Sequence, residues 1–297
     1  MHVSHCQICQ SSVGDLHLVR EMMLGTRDEF LYFECSMCGC LSIAEVPSDL
    51  HRYYPLNYCT FNPRRLSLLR KLCNALYLSR FSFLIDWHEK KELDLIRRIQ
   101  LKKSMSLLEV GGNFGSLLGD LRELGYNARG VSLLVKNDVL DRYGIRVERK
   151  TLADVTEKYD VILFRNSLEH MPIHMLRVAR EHLNKNGYCI VCTPVLGWGW
   201  QTYATDWAEI DAPRHRIVHS RKSFSMLAER SGFRVEKVIF NSNESQVWAS
   251  AAYQRDISLM DMPEPTRSQR GHLRRLVDAL NLNDKGDTAL FYLKPAY

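Results

Sequence analysis

Met105-Ser106-Leu107-Leu108-Glu109-Val110-Gly111-Gly112-Asn113-Phe114-Gly115 is the stretch on which the fold turns. Its apolar start reads as a buried strand of a parallel sheet. Glycines follow at 111, 112 and 115, and Phe114, Leu117, Leu118, Leu121 and Leu124 then recur at helical spacing. Strand, glycine turn and helix together bring bare backbone N–H groups and a helix N-terminus up to a ligand. Glu109 ends the strand, where a carboxylate can meet a hydroxyl or an ammonium group. The spacing E-x-G-x-x-x-G is not the dinucleotide pattern G-x-G-x-x-G.

Outward from this turn, strands and helices alternate. Strands are predicted at 105–110, 128–133, 145–149, 159–165 and 187–193, and helices at 114–124, 135–143, 172–183 and 221–231. Further β-like runs at 233–240 and 288–294 flank a helical insert at about 245–285, which holds Pro263 and Pro265. The alternation predicts an α/β protein, a Rossmann-like doubly wound sheet of seven mostly parallel strands. Residues 104–297 would form that domain. Residues 51–103 precede it as a lead-in: an aromatic, proline-interrupted loop (Tyr53-Tyr54-Pro55, Tyr58), then helices. Leu66, Leu69, Leu72 and Leu76, then Leu93, Ile96 and Ile99, give those helices an apolar stripe expected to pack over the ligand end of the sheet.

Residues 1–50 carry a different signal. Cys6-Gln7-Ile8-Cys9 and Cys35-Ser36-Met37-Cys38 are two C-x-x-C turns, each able to place two thiolates on one tetrahedral Zn²⁺. Gly39 suits the tight knuckle, and Leu16–Arg20 with Phe30–Glu34 read as two strands between the pairs. The expectation is a zinc ribbon closed by Cys6, Cys9, Cys35 and Cys38, whose metal is structural; Cys40 and His5 are spare donors. Cys189 and Cys192 repeat the spacing inside a predicted strand, where residues three apart point to opposite faces, so they read as separate core thiols.

The bulk numbers narrow the partners. The 297 residues carry a formal net charge of +6, which fits an anionic small-molecule substrate such as a sugar nucleotide. Basic pairs are dispersed (Arg64-Arg65, Lys90-Lys91, Lys102-Lys103, Arg274-Arg275), without the aromatic-interleaved basic block of a nucleic-acid binder. No apolar run reaches the roughly 20 residues of a membrane span, and no signal peptide is read at the start, so a cytoplasmic location is expected.

The glycine turn resembles the first motif of class I S-adenosylmethionine (SAM) methyltransferases, D/E-x-G-x-G-x-G, with Asn113 at the middle glycine. Tyr159-Asp160-Val161-Ile162 followed by Leu168-Glu169-His170 resembles that family's fourth strand and turn. Leu183-Asn184-Lys185-Asn186-Gly187 with Thr193-Pro194 resembles its approach to strand five. His215 and Ser220 with Phe224, Leu227 and Gly232-Phe233 resemble the segment before strand six. A narrower resemblance is to sugar C-methyltransferases, which also begin with a cysteine zinc-binding domain and often have Asn in the glycine loop; of their H-E-H segment only His215 is present, after Pro213 and Arg214.

The resemblance implies a SAM-dependent methyltransferase acting on a sugar nucleotide or other glycan precursor; a small-molecule O-methyltransferase and a scaffold that has lost SAM binding are the alternatives. It implies that Glu109, Gly111, Asn113 and Gly115 hold the methionine and ribose part of SAM, and that Asn166 and Glu169 line the reaction end. Ser132 stands where the fold normally presents a ribose-binding acid, a change worth roughly 1–3 kcal/mol, with Asp138 a candidate to compensate. His215 is the first candidate for general base and His170 the second, since an imidazole titrates near the operating pH. Glu169, His170 and His215 could instead gather a divalent metal, with Asn166 in the place of a further Glu. Trp198, Trp200, Tyr203 and Trp207 are expected in a loop that either closes over a sugar ring or forms a hydrophobic, self-packed segment.

Overall fold

A computed structural model gives the fold and describes residues 5–54, 67–79, 91–111, 117–135 and 147–296. Asn113, Gly115, Leu66, Asp138 and most of the expected helix at 135–143 lie outside the described residues. The chain opens with three short strands, β1 (Leu16–Arg20), β2 (Glu29–Glu34) and β3 (Leu41–Ile43). The main sheet is then laid down by β4 (Ser106–Val110), β5 (Asn127–Val131), β6 (Val147–Glu148), β7 (Tyr159–Arg165) and β8 (Leu183–Pro194). After a two-residue strand β9 (Ile217–Val218), β10 (Phe233–Phe240) and β11 (Thr288–Pro295) complete it.

The seven-stranded sheet has the order β10-β11-β8-β7-β4-β5-β6. All pairs from β8 to β6 are parallel, whereas β11 runs antiparallel between β8 and β10. Chain order therefore reverses at β4 and β7: one crossover sequence runs outward through β5 to β6, the other through β8. Period-2 alternation divides the core. Leu108, Val110, Ile162, Phe164, Cys189 and Val191 face one side. Leu107, Val161, Leu163, Ile190 and Cys192 face the other. Cys189 and Cys192 thus lie on opposite faces, as their strand position requires.

The helical lead-in departs from expectation. In α1 (Leu68–Leu78), Leu69, Leu72 and Leu76 face outward at 72%, 63% and 42% exposure. The side chains turned inward are Tyr77 and Leu78, packed on the core, and the buried Asn74, whose amide donates to Asp120 Oδ2 at 3.1 Å on α3 (Leu117–Glu123). A buried amide–carboxylate bond and the packing of Tyr77 and Leu78 take the place of the leucine stripe. In α2 (Lys91–Arg97) the apolar stripe is buried: Leu93 and Ile96 share a core cluster with Leu107 and Leu121 on one face of the sheet.

The N-terminal sheet does not end with residue 50. Its order is β1-β2-β3-β9, so a strand from beyond the fifth parallel strand pairs antiparallel with Leu41 and Ser42. Trp207, Ile210, Ala212 and Val218 fill its core beside Val19, Tyr32, Leu41 and Ile43. The expected insert consists of α7 (Glu244–Tyr253) and α8 (Arg267–Leu282); α4 (Met175–Glu181), α5 (Trp198–Tyr203) and α6 (Arg221–Arg230) precede it.

Just after β9, His219 is buried, with Nδ1 3.1 Å from Ser223 Oγ and its ring edge-on to Phe224 at 5.4 Å. Burial pushes its pKa down to about 3 from the usual 6.5. A depressed imidazole contributes stability above the unfolded pKa, and that contribution is lost as pH falls from about 6.5 toward about 3. Denaturant titrations of wild type and His219→Gln across that window should show a shallower acid-side loss in the variant; parallel curves would exclude the contribution.

Candidate active site

A cavity of about 870 Å³ opens at the carboxyl ends of β4, β5 and β7, where the strand order reverses. One end is lined by Gly111, Ser132, Leu133, Thr151, Leu152 and Asn166, the other by Tyr54, His170, Glu209, Asp211, His215 and Gln246.

At the first end Gly111 sits at φ +69°, its N–H donating to Val131 O at 2.8 Å. A Cβ there would lie 2.4 Å from Met171 Cε and 3.1 Å from Ser167 Cβ. Ser132 is buried with its Oγ accepting from Leu134 N–H at 3.2 Å, a turn contact that leaves the hydroxyl's own proton to donate. Asn166 lines the cavity in a left-handed conformation at φ 49°.

Glu109, expected to help hold SAM, is set back behind the cavity. It is fully buried and not part of the cavity wall. Arg165 of the neighbouring strand donates to its Oε1 through Nε at 3.0 Å and reaches Glu92 through a second nitrogen at 2.7 Å. Glu109 Oε2 has no hydrogen-bond partner among the described residues. Burial raises this carboxyl's pKa, and the Arg165 charge works against that rise.

At the other end the structure brings His170 and His215 together, ring centroids 4.6 Å apart at 67°. His215 Nδ1 lies 2.8 Å from the Glu209 carbonyl oxygen, which can only accept, so Nδ1 carries the proton and Nε2 keeps its lone pair. That nitrogen faces Glu169 Oε1 at 3.9 Å and Asp211 Oδ2 at 3.8 Å. His170 Nδ1 stands 3.0 Å from Arg214 O and 3.1 Å from the Tyr54 hydroxyl. Burial lowers both imidazoles, His170 to about 3, so each is neutral near pH 7. Glu169 lies beneath His215, outside the cavity wall, with Oε2 accepting from Thr193 Oγ1 at 3.2 Å and Oε1 without a hydrogen bond among the described residues. Burial pushes its pKa up to about 8.

The aromatic loop is not a lid. Trp198–Tyr203 is the helix α5, Trp200 packs on His17 at 5.1 Å, and Trp207 is buried; none of them lines the cavity. Ala208, Glu209 and Asp211, just beyond, line the cavity instead. The sequence reading missed Glu209, Asp211 and the role of Arg214. The run Glu209-Ile210-Asp211 close before His215 was the available signal.

In the N-terminal unit, the thiol sulfurs of Cys6, Cys9, Cys35 and Cys38 all lie within 4.8 Å of one another. Cys6–Cys38 is 3.6 Å and Cys9–Cys35 3.5 Å. A tetrahedral zinc with bonds of about 2.3 Å has sulfur–sulfur edges of about 3.8 Å, so the donor set fits that ion. Cys40 is 3.6 Å from both Cys6 and Cys38, and its hydrogen bond is the largest cause holding the Cys6 thiol down at about 4.

A family model described as "Methyltransferase domain" matches residues 84–238, more than half of the 297-residue chain. A comparison with curated proteins finds no significant match. Among solved structures, the mitomycin 7-O-methyltransferase MmcR is similar at 15% identity and a TM-score of 0.42, over 65% of this chain and 50% of that one. Geranyl diphosphate C-methyltransferase from Streptomyces coelicolor A3(2) is similar at 13% identity and 0.45, over 74% and 85%. The Burkholderia thailandensis 1,6-didemethyltoxoflavin-N1-methyltransferase is similar at 11% and 0.46, over 88% and 97%. This chain thus spans about half the length of the MmcR chain and most of the other two. The strand order and the cavity at its reversal define the class I SAM-dependent methyltransferase fold. The chain belongs to the methyltransferase-domain family and is a SAM-dependent methyltransferase.

Gly111→Ala would force a side chain into the left-handed region, at about 1–2 kcal/mol, and against Met171. Calorimetry should find S-adenosylhomocysteine (SAH) binding weakened roughly tenfold; unchanged affinity would remove Gly111 from the cofactor site.

Proposed function

We propose that the protein transfers the methyl group of SAM to a sugar nucleotide or another glycan precursor, with His215 as general base. The observation that carries this reading is the one cavity joining the glycine turn at Gly111 to His215. Gly111, Asn113 and Gly115 hold the methionine part of the cofactor, and Glu109 assists through the oxygen that Arg165 leaves free. Ser132 stands beside the ribose, and Asn166 with Glu169 serves the reaction end, Glu169 from beneath. The net charge of +6 and the resemblance to sugar C-methyltransferases support an anionic acceptor of this kind. Cys6, Cys9, Cys35 and Cys38 hold a structural zinc.

Methyl transfer from a sulfonium is an in-line displacement: a bond forms from the acceptor atom to the methyl carbon as the carbon–sulfur bond breaks. The cavity aligns the two reactants and excludes water between them. His215 Nε2 takes the acceptor's proton. The imidazolium so formed faces the Asp211 carboxylate, whose charge stabilises it once it exists, with the largely protonated Glu169 carboxyl on its other side. His170, edge-on to His215 and bound to Arg214 O, limits the rotation of that ring.

A second reading is favoured by Glu169: its Oε1 is buried without a hydrogen bond among the described residues, and a carboxylate oxygen lies within 4.8 Å of donor atoms of His170 and His215. Those three could hold a divalent cation, which would then occupy His215 Nε2 in place of the proton.

Titration of the zinc-loaded protein with SAH separates these readings from a non-catalytic scaffold. Saturable binding is expected, and no binding at millimolar ligand would contradict the enzyme reading. His215→Ala should lower turnover by about 10²–10⁴-fold and leave SAH affinity intact; normal turnover would remove it from the base role. Elemental analysis of wild type should find one zinc and nothing more, whereas a second bound divalent metal lost in Glu169→Gln would favour the cation reading.

A further inference from the structure

The loop that carries His215 is held mainly from the N-terminal unit. Arg214 is fully buried, and its guanidinium spans three separate chain segments. It donates to Asp211 through Nε at 3.0 Å, to Glu21 Oε1 at 2.8 Å and to Tyr53 O at 3.1 Å. Glu21 is buried too, and the turn between β1 and β2 is wound about its carboxylate, which accepts from Leu24 N–H at 2.9 Å, Thr26 N–H at 3.1 Å and Thr26 Oγ1 at 3.3 Å. On the far side of His215, the Tyr32 hydroxyl donates to His215 O at 2.8 Å and Ile43 N–H donates to Arg216 O at 3.1 Å. Asp211, at φ 43°, accepts the backbone N–H groups of both Arg214 and His215.

A planar guanidinium can satisfy all three acceptors at once, and a buried cation deprived of one counter-ion must move or be re-solvated. We propose that Glu21 and Arg214 are positioning residues for His215, so that the N-terminal thiolate unit holds in place the loop that walls the acceptor site. This inference rests on the reading of the His215 end as the reaction end.

Its test uses the full, zinc-loaded chain and needs no acceptor. Imidazole ¹H–¹⁵N spectra, with His215→Gln to assign the ring, report its tautomer. Amide exchange reports the 211–216 loop, and calorimetry reports SAH affinity. In Glu21→Gln, which keeps the shape but removes the charge, His215 should leave the single Nδ1–H tautomer for a mixture. Loop exchange should quicken about tenfold, while SAH affinity stays within about twofold. A merely structural role would lower the melting temperature and leave the tautomer alone. Wild-type tautomer and loop exchange in the variant would overturn the proposal. Should Glu21→Gln not fold, Tyr32→Phe carries the same readouts with the same two outcomes. Absence of SAH binding in wild type would instead sink the methyltransferase reading, with the His215 spectra still deciding this one.

Discussion

The reversal of strand order between β4 and β7 is the constraint on which the rest depends. Parallel crossovers must be right-handed, so chains leaving these two neighbours go to opposite sides and part above the strand ends. The gap they leave cannot be filled by a connecting helix, and only glycine lets the backbone after β4 turn away at Gly111 without striking Met171. Everything the cavity presents follows: the turn after β4, Ser132 after β5, Asn166 after β7 and the His215 loop beyond β8.

The second organising feature is how the buried charges are balanced. Arg165 answers Glu109 and Glu92 under the Gly111 end of the cavity, and Arg214 answers Asp211 and Glu21 under the His215 end. Each guanidinium ties different elements together, and removing one partner would strand a charge in a low-dielectric interior. Among the described residues no arginine or lysine pairs with Glu169 in this way. Its orphaned Oε1 is why both a proton on His215 and a bound cation are chemically natural occupants of that spot.

Much of this was legible from local pattern. The strand at 106–110, Gly111 and the helix from Leu117, the two C-x-x-C turns and the opposite-facing Cys189 and Cys192 are decided by neighbours a few residues apart, and the described residues bear these out. The misreadings share another cause. The leucines of α1 follow helical spacing, but spacing cannot say which face a neighbour covers, and Asp120 draws Asn74 inward instead. The tryptophan-rich segment reads as a loop because Gly197 and Gly199 interrupt it, yet Gly199 N–H is fixed by Asp287 Oδ1 at 2.7 Å, a residue 88 positions on. Arg214 looked like a filler in an incomplete histidine motif because its partner Glu21 is 193 residues away. The fourth strand of the N-terminal sheet is two residues long and carries no pattern of its own.

The central claim is that one cavity, opened by the reversal at β4 and β7, seats the methyl donor within reach of His215. A crystal structure of the zinc-loaded protein with SAH measures this directly. The account predicts the homocysteine part against Gly111, the ribose beside Ser132 and the sulfur turned toward the His170–His215 pair. SAH bound elsewhere, or with its sulfur turned away from those imidazoles, would contradict it.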